Sequence, residues 1–136
     1  MISKLRSLKE LSKISLAIKK IGKKIVLCHG DFDLLHLGHL KHFKSAKKNG
    51  DILVVSVTSS SFITKGKNRP VFNDTERLEF LSELEVVDYL YLDKSPTANN
   101  IIKNLKPDFY VKGSDYKIFS NDISLKNILE KNLVRK

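Results

Sequence analysis

The sequence predicts an α/β domain with a doubly wound parallel sheet, Rossmann-like in plan, and three observations lead there. Short apolar runs of strand length alternate with amphipathic segments of helix length along the whole chain. The runs are far enough apart for helical crossovers, which are right-handed and leave parallel strands covered on both faces. With 136 residues the chain is about one domain long, so these units must share one sheet.

Ser7 followed by Glu10 forms a capping-box pattern, and Leu8, Leu11, Ile14, Leu16, Ile18 and Ile21 recur at roughly helical spacing up to Gly22. Ile25 to Cys28, bounded by Lys-Lys and His-Gly, reads as a buried strand. Leu37 to Lys48 places Leu40, Phe43 and Ala46 on one helical face and stops at Asn49-Gly50. A second strand runs from Ile52 to Thr58, and Thr58, Ser59, Ser60 and Ser61 at its exit read as a helix cap. After a basic stretch to Val71, Asn73 and Glu76 repeat the capping box before Leu78, Phe80, Leu81 and Leu84. Tyr89 to Leu92, Ala98 to Leu105 and Phe109 to Lys112 continue as strand, helix and strand, and Ser124 to Leu133 reads as a final helix. Residues 1–136 therefore form a single domain, with 1–21 as an N-terminal helical extension.

Composition narrows the function classes. The chain is 41% hydrophobic, more than a disordered chain of comparable charge carries. Neither an uncharged apolar run of about 18 residues nor a secretion signal is visible, so a soluble, cytoplasmic protein without a membrane partner is expected. Cys28 stands alone, which excludes an internal disulfide and a CxxC metal site. Lys and Arg number 25 against 15 Asp and Glu, and the net charge of +10 attracts polyanions. The aromatic residues sit in apolar contexts without the basic and aromatic interleaving that stacks bases, so no nucleic-acid partner is expected.

The chemically unusual residues follow the first strand: His29, Gly30, Asp31, Phe32, Asp33, Leu34, Leu35, His36, Leu37, Gly38 and His39. With one glycine in the turn and two histidines at the helix entrance, this is neither a Rossmann GxGxxG nor a P-loop. Positions i and i+3 share a helix face, so His36 and His39 would both lie at the positive helix end, where backbone amides favour phosphate. The plainer alternative has one histidine capping the helix and the other solvated. Gly30 would let backbone approach a ligand, and Gly38 would leave space against it. Asp33 is expected to hold the turn through backbone amides.

Gly30, Phe32, Asp33, His36, Gly38 and His39 resemble the motif of the HxGH nucleotidylyltransferases. Further similarity lies in Lys65-Gly66, Arg69-Pro70-Val71, Glu76-Arg77, Leu84 to Asp88, Lys106 to Asp108, and Val111 to Tyr116. These are most similar to the adenylyltransferase domain of bacterial heptose 1-phosphate enzymes, over about Gly22 to Tyr116. Glu85 and Lys112 separate the chain from glycerol-3-phosphate cytidylyltransferases, which typically have Arg at the first position and lack Lys at the second.

The resemblance implies transfer of a nucleoside monophosphate from ATP, or CTP, to a sugar phosphate, with release of pyrophosphate. His36 and His39 would donate hydrogen bonds to the triphosphate, Lys65 would hold phosphate charge, and Arg77 would grip phosphate with its planar fork. Gly30, Asp31, Phe32, Gly38, Lys112, Gly113, Asp115 and Tyr116 would contact the nucleotide. Mg²⁺ is expected to arrive on the phosphates, with no residue assigned as its dedicated ligand. By composition alone, Lys65, Lys67 and Arg69 could equally be surface charges, and Arg77 could pair with Asp74 or Glu76 on a helix surface. A homodimer is compatible with the sequence. The family usually adds a further strand and a Ser/Thr-rich turn opening a helix, elements expected to be missing here. A glycerol-3-phosphate-type cytidylyltransferase and an inactive nucleotide-binding remnant are therefore the alternatives.

Overall fold

The computed structural model describes residues 2–64, 66–112 and 117–120, with Lys112 and the last four by their backbone alone. The elements run α1 (Leu8–Lys20), β1 (Ile25–Gly30), α2 (Leu37–Lys47), β2 (Ile52–Thr58), a 3₁₀ turn (Ser60–Phe62), α3 (Asp74–Ser82), β3 (Tyr89–Asp93), α4 (Asn99–Leu105), β4 (Phe109–Lys112) and β5 (Lys117–Ser120). The sheet order is β3-β2-β1-β4-β5. The first four strands are parallel, as expected. The fifth strand, absent from the sequence expectation, pairs antiparallel with β4, a common way for an edge strand to join a parallel sheet. The expected helix from Ser124 to Leu133 lies outside the described residues.

Ile25, Val26, Leu27 and Cys28 are all fully buried, because β1 is central and covered on both faces. Alternation sorts their side chains between two cores. Val26, Cys28, Val55, Val57, Leu90 and Val111 pack with Phe43 of α2 and Leu78 and Leu81 of α3. Ile25, Leu27, Val54 and Tyr110 pack with Leu11 of α1 and Ile101, Ile102 and Leu105 of α4. Helices on opposite faces make the domain doubly wound. Phe80 is 52% exposed, because the helical period turns it away from the face shared by Leu78 and Leu81.

Both expected capping boxes form, Ser7 with Glu10 and Asn73 with Glu76. The segment before α1 is tied into the sheet. The Arg6 amide donates to Leu90 O at 2.9 Å and the Leu90 amide to Lys4 O at 2.9 Å, covering the outer edge of β3. From β1 the chain winds outward to β2 and β3, then crosses to β4 on the other side of β1. The crevice beyond the carboxyl ends of β1 and β4 is thus the switch point where such sheets bind ligands. No helix among the described residues is long and apolar enough to cross a membrane.

Candidate active site

The turn after β1 is shaped by Phe32. Its φ is 49°, a left-handed conformation unusual without glycine. Burial offsets the strain: the ring is 9% exposed and meets Phe43 edge-on at 5.3 Å and His39 at 6.0 Å. A Cβ on Gly30 would stand 3.0 Å from the Phe32 ring, so the missing side chain makes room for the motif's own phenylalanine.

His36 is the N-cap of α2, in extended conformation, and its Nδ1 accepts the Gly38 amide at 2.9 Å. His39 Nδ1 accepts the His36 amide at 3.3 Å, completing a capping box built from two imidazoles whose centroids are 4.3 Å apart. A ring nitrogen that accepts carries no proton, so each neutral imidazole holds its hydrogen on Nε2. The rings cap the helix, and capping through Nδ1 places the ring hydrogen of each neutral imidazole on Nε2. Gly38 serves the same arrangement. A Cβ there would lie 2.6 Å from His36 Cε1 and 2.9 Å from Nδ1, so the space expected for nucleotide belongs to the His36 ring.

Arg77 corrects an expectation. Its side chain is 0% exposed. Nε donates to Phe72 O at 3.1 Å, Nη1 to Asp31 O at 2.8 Å and Thr58 O at 2.6 Å, and Nη2 to Ser60 Oγ at 3.3 Å and Asp74 Oδ1 at 2.6 Å. A guanidinium has five N–H groups and all are taken, so none remains to grip a phosphate. Arg77 instead fastens the motif turn, the end of β2 and the start of α3 to one another. The serines after β2 join this knot rather than capping their own turn: Ser59 Oγ and Ser60 Oγ donate to Asp74 at 2.9 and 2.7 Å.

Asp33 holds a distant segment, not its own turn. Oδ2 accepts the Val71 amide at 2.7 Å and Oδ1 the Phe72 amide at 2.8 Å, while Arg69 Nη1 lies 3.3 Å from Oδ2. Burial works to raise the Asp33 pKa, but the Phe72 and Val71 amides and the Arg69 guanidinium together hold it below the usual carboxylate range. Between the motif turn and this segment lies a cavity of about 330 Å³ lined by Asp31, Phe32, Asp33, Leu34, His39, Ile63 and Arg69.

Comparison with known proteins decides the family. Residues 27–134 match the cytidylyltransferase-like family. The chain belongs to that family. It is 42% identical over 115 residues to the bifunctional protein HldE of a Nitratiruptor species, covering 83% of this chain and 25% of that protein. Identity to HldE of Campylobacter fetus subsp. fetus is 44% over 115 residues, 83% of this chain and 24% of the relative. The chain thus spans about a quarter of the length of these relatives. A crystal structure of the lipopolysaccharide core biosynthesis protein from Thermoplasma volcanium GSS1 aligns with a TM-score of 0.67 and 36% identity, over 81% of this chain and 88% of that one. Pantoate-beta-alanine ligase from Francisella tularensis shares the fold, with a TM-score of 0.60 at 19% identity over 96% of this chain and 62% of its own.

Within this cytidylyltransferase-like domain, Gly30, Asp31, Phe32, His36, Gly38 and His39 converge at the carboxyl end of β1. Lys112 ends β4, in register with His29 of β1, at the same carboxyl end of the sheet. Lys65, Gly113, Asp115 and Tyr116 lie outside the described residues. His29, placed by the sequence in the turn after the first strand, belongs to β1 instead, and its Nδ1 is 2.9 Å from Ser56 Oγ. Sequence reasoning missed the reach of Asp33, because a contact across about forty residues leaves no local pattern.

Proposed function

We propose that the chain transfers the adenylyl group of ATP to a sugar phosphate, with heptose 1-phosphate the leading acceptor, and releases pyrophosphate. The observation that carries this is the mutual capping of His36 and His39, which fixes two Nε2–H donors at the amino end of α2 beside the β1/β4 crevice. An oxygen of the acceptor phosphate attacks the α-phosphorus of ATP. The new P–O bond forms as the bond to the β-phosphate bridging oxygen breaks, and the electron pair leaves on pyrophosphate. Since the attacking oxygen is already anionic, the main demand is stabilisation of negative charge as it shifts, which fixed donors meet without reorganising. The two imidazoles supply that stabilisation, with Lys65 adding charge from the basic loop.

Mg²⁺ would be held mainly by the nucleotide phosphates, and no residue of the chain is assigned as its dedicated ligand. The bound ion would neutralise phosphate charge. ATP is favoured over CTP by the resemblance at Glu85 and Lys112, and a sugar acceptor by identity to a protein of lipopolysaccharide core biosynthesis. A cytoplasmic location is part of the same proposal.

Pyrophosphate release, assayed with ATP and CTP against heptose 1-phosphate, other sugar phosphates and glycerol 3-phosphate, tests the proposal. Highest kcat/KM for ATP with a sugar 1-phosphate is expected. Preference for CTP with glycerol 3-phosphate would move the chain to the other branch, and nucleotide binding without turnover would mark a remnant.

A further inference from the structure

With Arg77 committed to the scaffold, another cation must meet the acceptor's phosphate, and Arg69 has the required geometry. It lines the 330 Å³ cavity together with His39, and its side chain is 40% exposed. Asp33 Oδ2 is its one hydrogen-bond acceptor among the described residues, at 3.3 Å, so four of its five N–H groups are uncommitted there. The contrast with Arg77, fully enclosed and fully bonded, is one of donor supply. Arg69 is nevertheless well placed, because Asp33 also accepts the amides of Val71 and Phe72 and Arg77 holds the Phe72 carbonyl. The backbone that carries Arg69 is thereby pinned to the motif turn.

We propose that Arg69 binds the phosphate of the acceptor substrate inside this cavity, with Asp33 as the positioning residue that aims it. The inference rests on the nucleotidyl-transfer reading and adds which residue recognises which substrate. Charge decides between acceptor and triphosphate. The cavity wall carries the carboxylates of Asp31 and Asp33 beside Arg69, together with apolar Leu34, Phe32 and Ile63. Two carboxylates repel a polyanionic triphosphate more strongly than a phosphate monoester. A phosphate monoester, with its phosphate on Arg69 and its carbon skeleton toward the apolar residues, suits such a wall. The triphosphate falls to the helix entrance on the other side of His39.

Steady-state kinetics of Arg69→Ala, Arg69→Gln and Arg69→Lys, varying ATP and acceptor separately, test the proposal. Loss of charge-assisted hydrogen bonds should raise KM for the acceptor roughly 10- to 100-fold. KM for ATP should stay within about twofold of wild type, and Lys should recover part of the loss because it keeps the charge without the fork. An unchanged acceptor KM, or an effect confined to ATP, overturns the assignment. If wild type releases no pyrophosphate with any acceptor, the transfer reading itself fails, and calorimetric titration of inorganic phosphate judges Arg69 separately. Binding to wild type that is lost in both neutral variants supports it; equal binding, or none to wild type, overturns it.

Discussion

His36 and His39 hold each other at the entrance of α2: the His36 amide donates to His39 Nδ1 at 3.3 Å, while His36 Nδ1 accepts from Gly38. The backbone thus selects the tautomer of both rings: Nδ1 serves the helix cap, and Nε2 is the atom assigned to the proposed chemistry. Side-chain substitutions can separate the two.

His36→Ala should lose both cap and donor, lowering stability by about 1 kcal/mol and turnover by about 10²-fold or more. His36→Asn keeps a good N-cap without the Nε2 donor, so its melting temperature should stay near wild type while turnover falls as far. His39→Ala should match the loss of rate. Thermal denaturation beside pyrophosphate release checks both halves, and full activity in His36→Asn would reduce the histidine to a cap.

Gly38→Ala places a methyl group 2.6 Å from His36 Cε1. The exposed imidazole can swing aside, so stability should change by less than about 1 kcal/mol. Displacement of the donor by about an ångström is expected to lower kcat as much as ~10²-fold. Proton NMR of the imidazoles should show the His36 signal shifted in the variant, and retained kcat would show the site tolerates the displaced ring.

Arg77→Met is expected to act on the fold. It leaves the carbonyls of Asp31, Thr58 and Phe72 without their donor and Asp74 without its countercharge. Breaking such a buried ion-paired knot destabilises by roughly 3–5 kcal/mol, and Arg77→Lys should rescue little because one ammonium cannot reach all five acceptors. Denaturant melts measure this. A stable Arg77→Met protein with weakened ATP binding would restore the phosphate-gripping role that its burial argues against.

Asp33 predicts the direction of acid sensitivity. Its folded pKa is depressed below the ordinary value of 3.8, so its stabilising contribution is fully present above that value and is lost as pH falls through the lower folded pKa. The gap in stability between wild type and Asp33→Asn should be constant near neutrality and narrow below about pH 4. Melts of both proteins across that window check it, and a gap that widens in acid would mean the carboxylate is not held by the Val71 and Phe72 amides.

The alternation of apolar runs specified four strands and their helices, and Ile25 to Cys28 and Leu53 to Thr58 are indeed buried in a sheet covered on both faces. Capping boxes at Ser7 and Asn73 were equally legible, because capping is local and repeats at three residues. Motif spacing alone brought His36 and His39 to one helix end. Arginine roles were not legible: Arg69 and Arg77 lie eight residues apart in similar polar surroundings, and only the fold buries one and leaves the other on a cavity wall. The same holds for Asp33, whose partners at Val71 and Phe72 come close only when α3 packs beside the motif turn. Sequence determined what each segment becomes, because periodicity, capping and turn chemistry act within a few residues. Tertiary structure decided which charges remain available, because desolvation and hydrogen-bond supply depend on everything that packs around them.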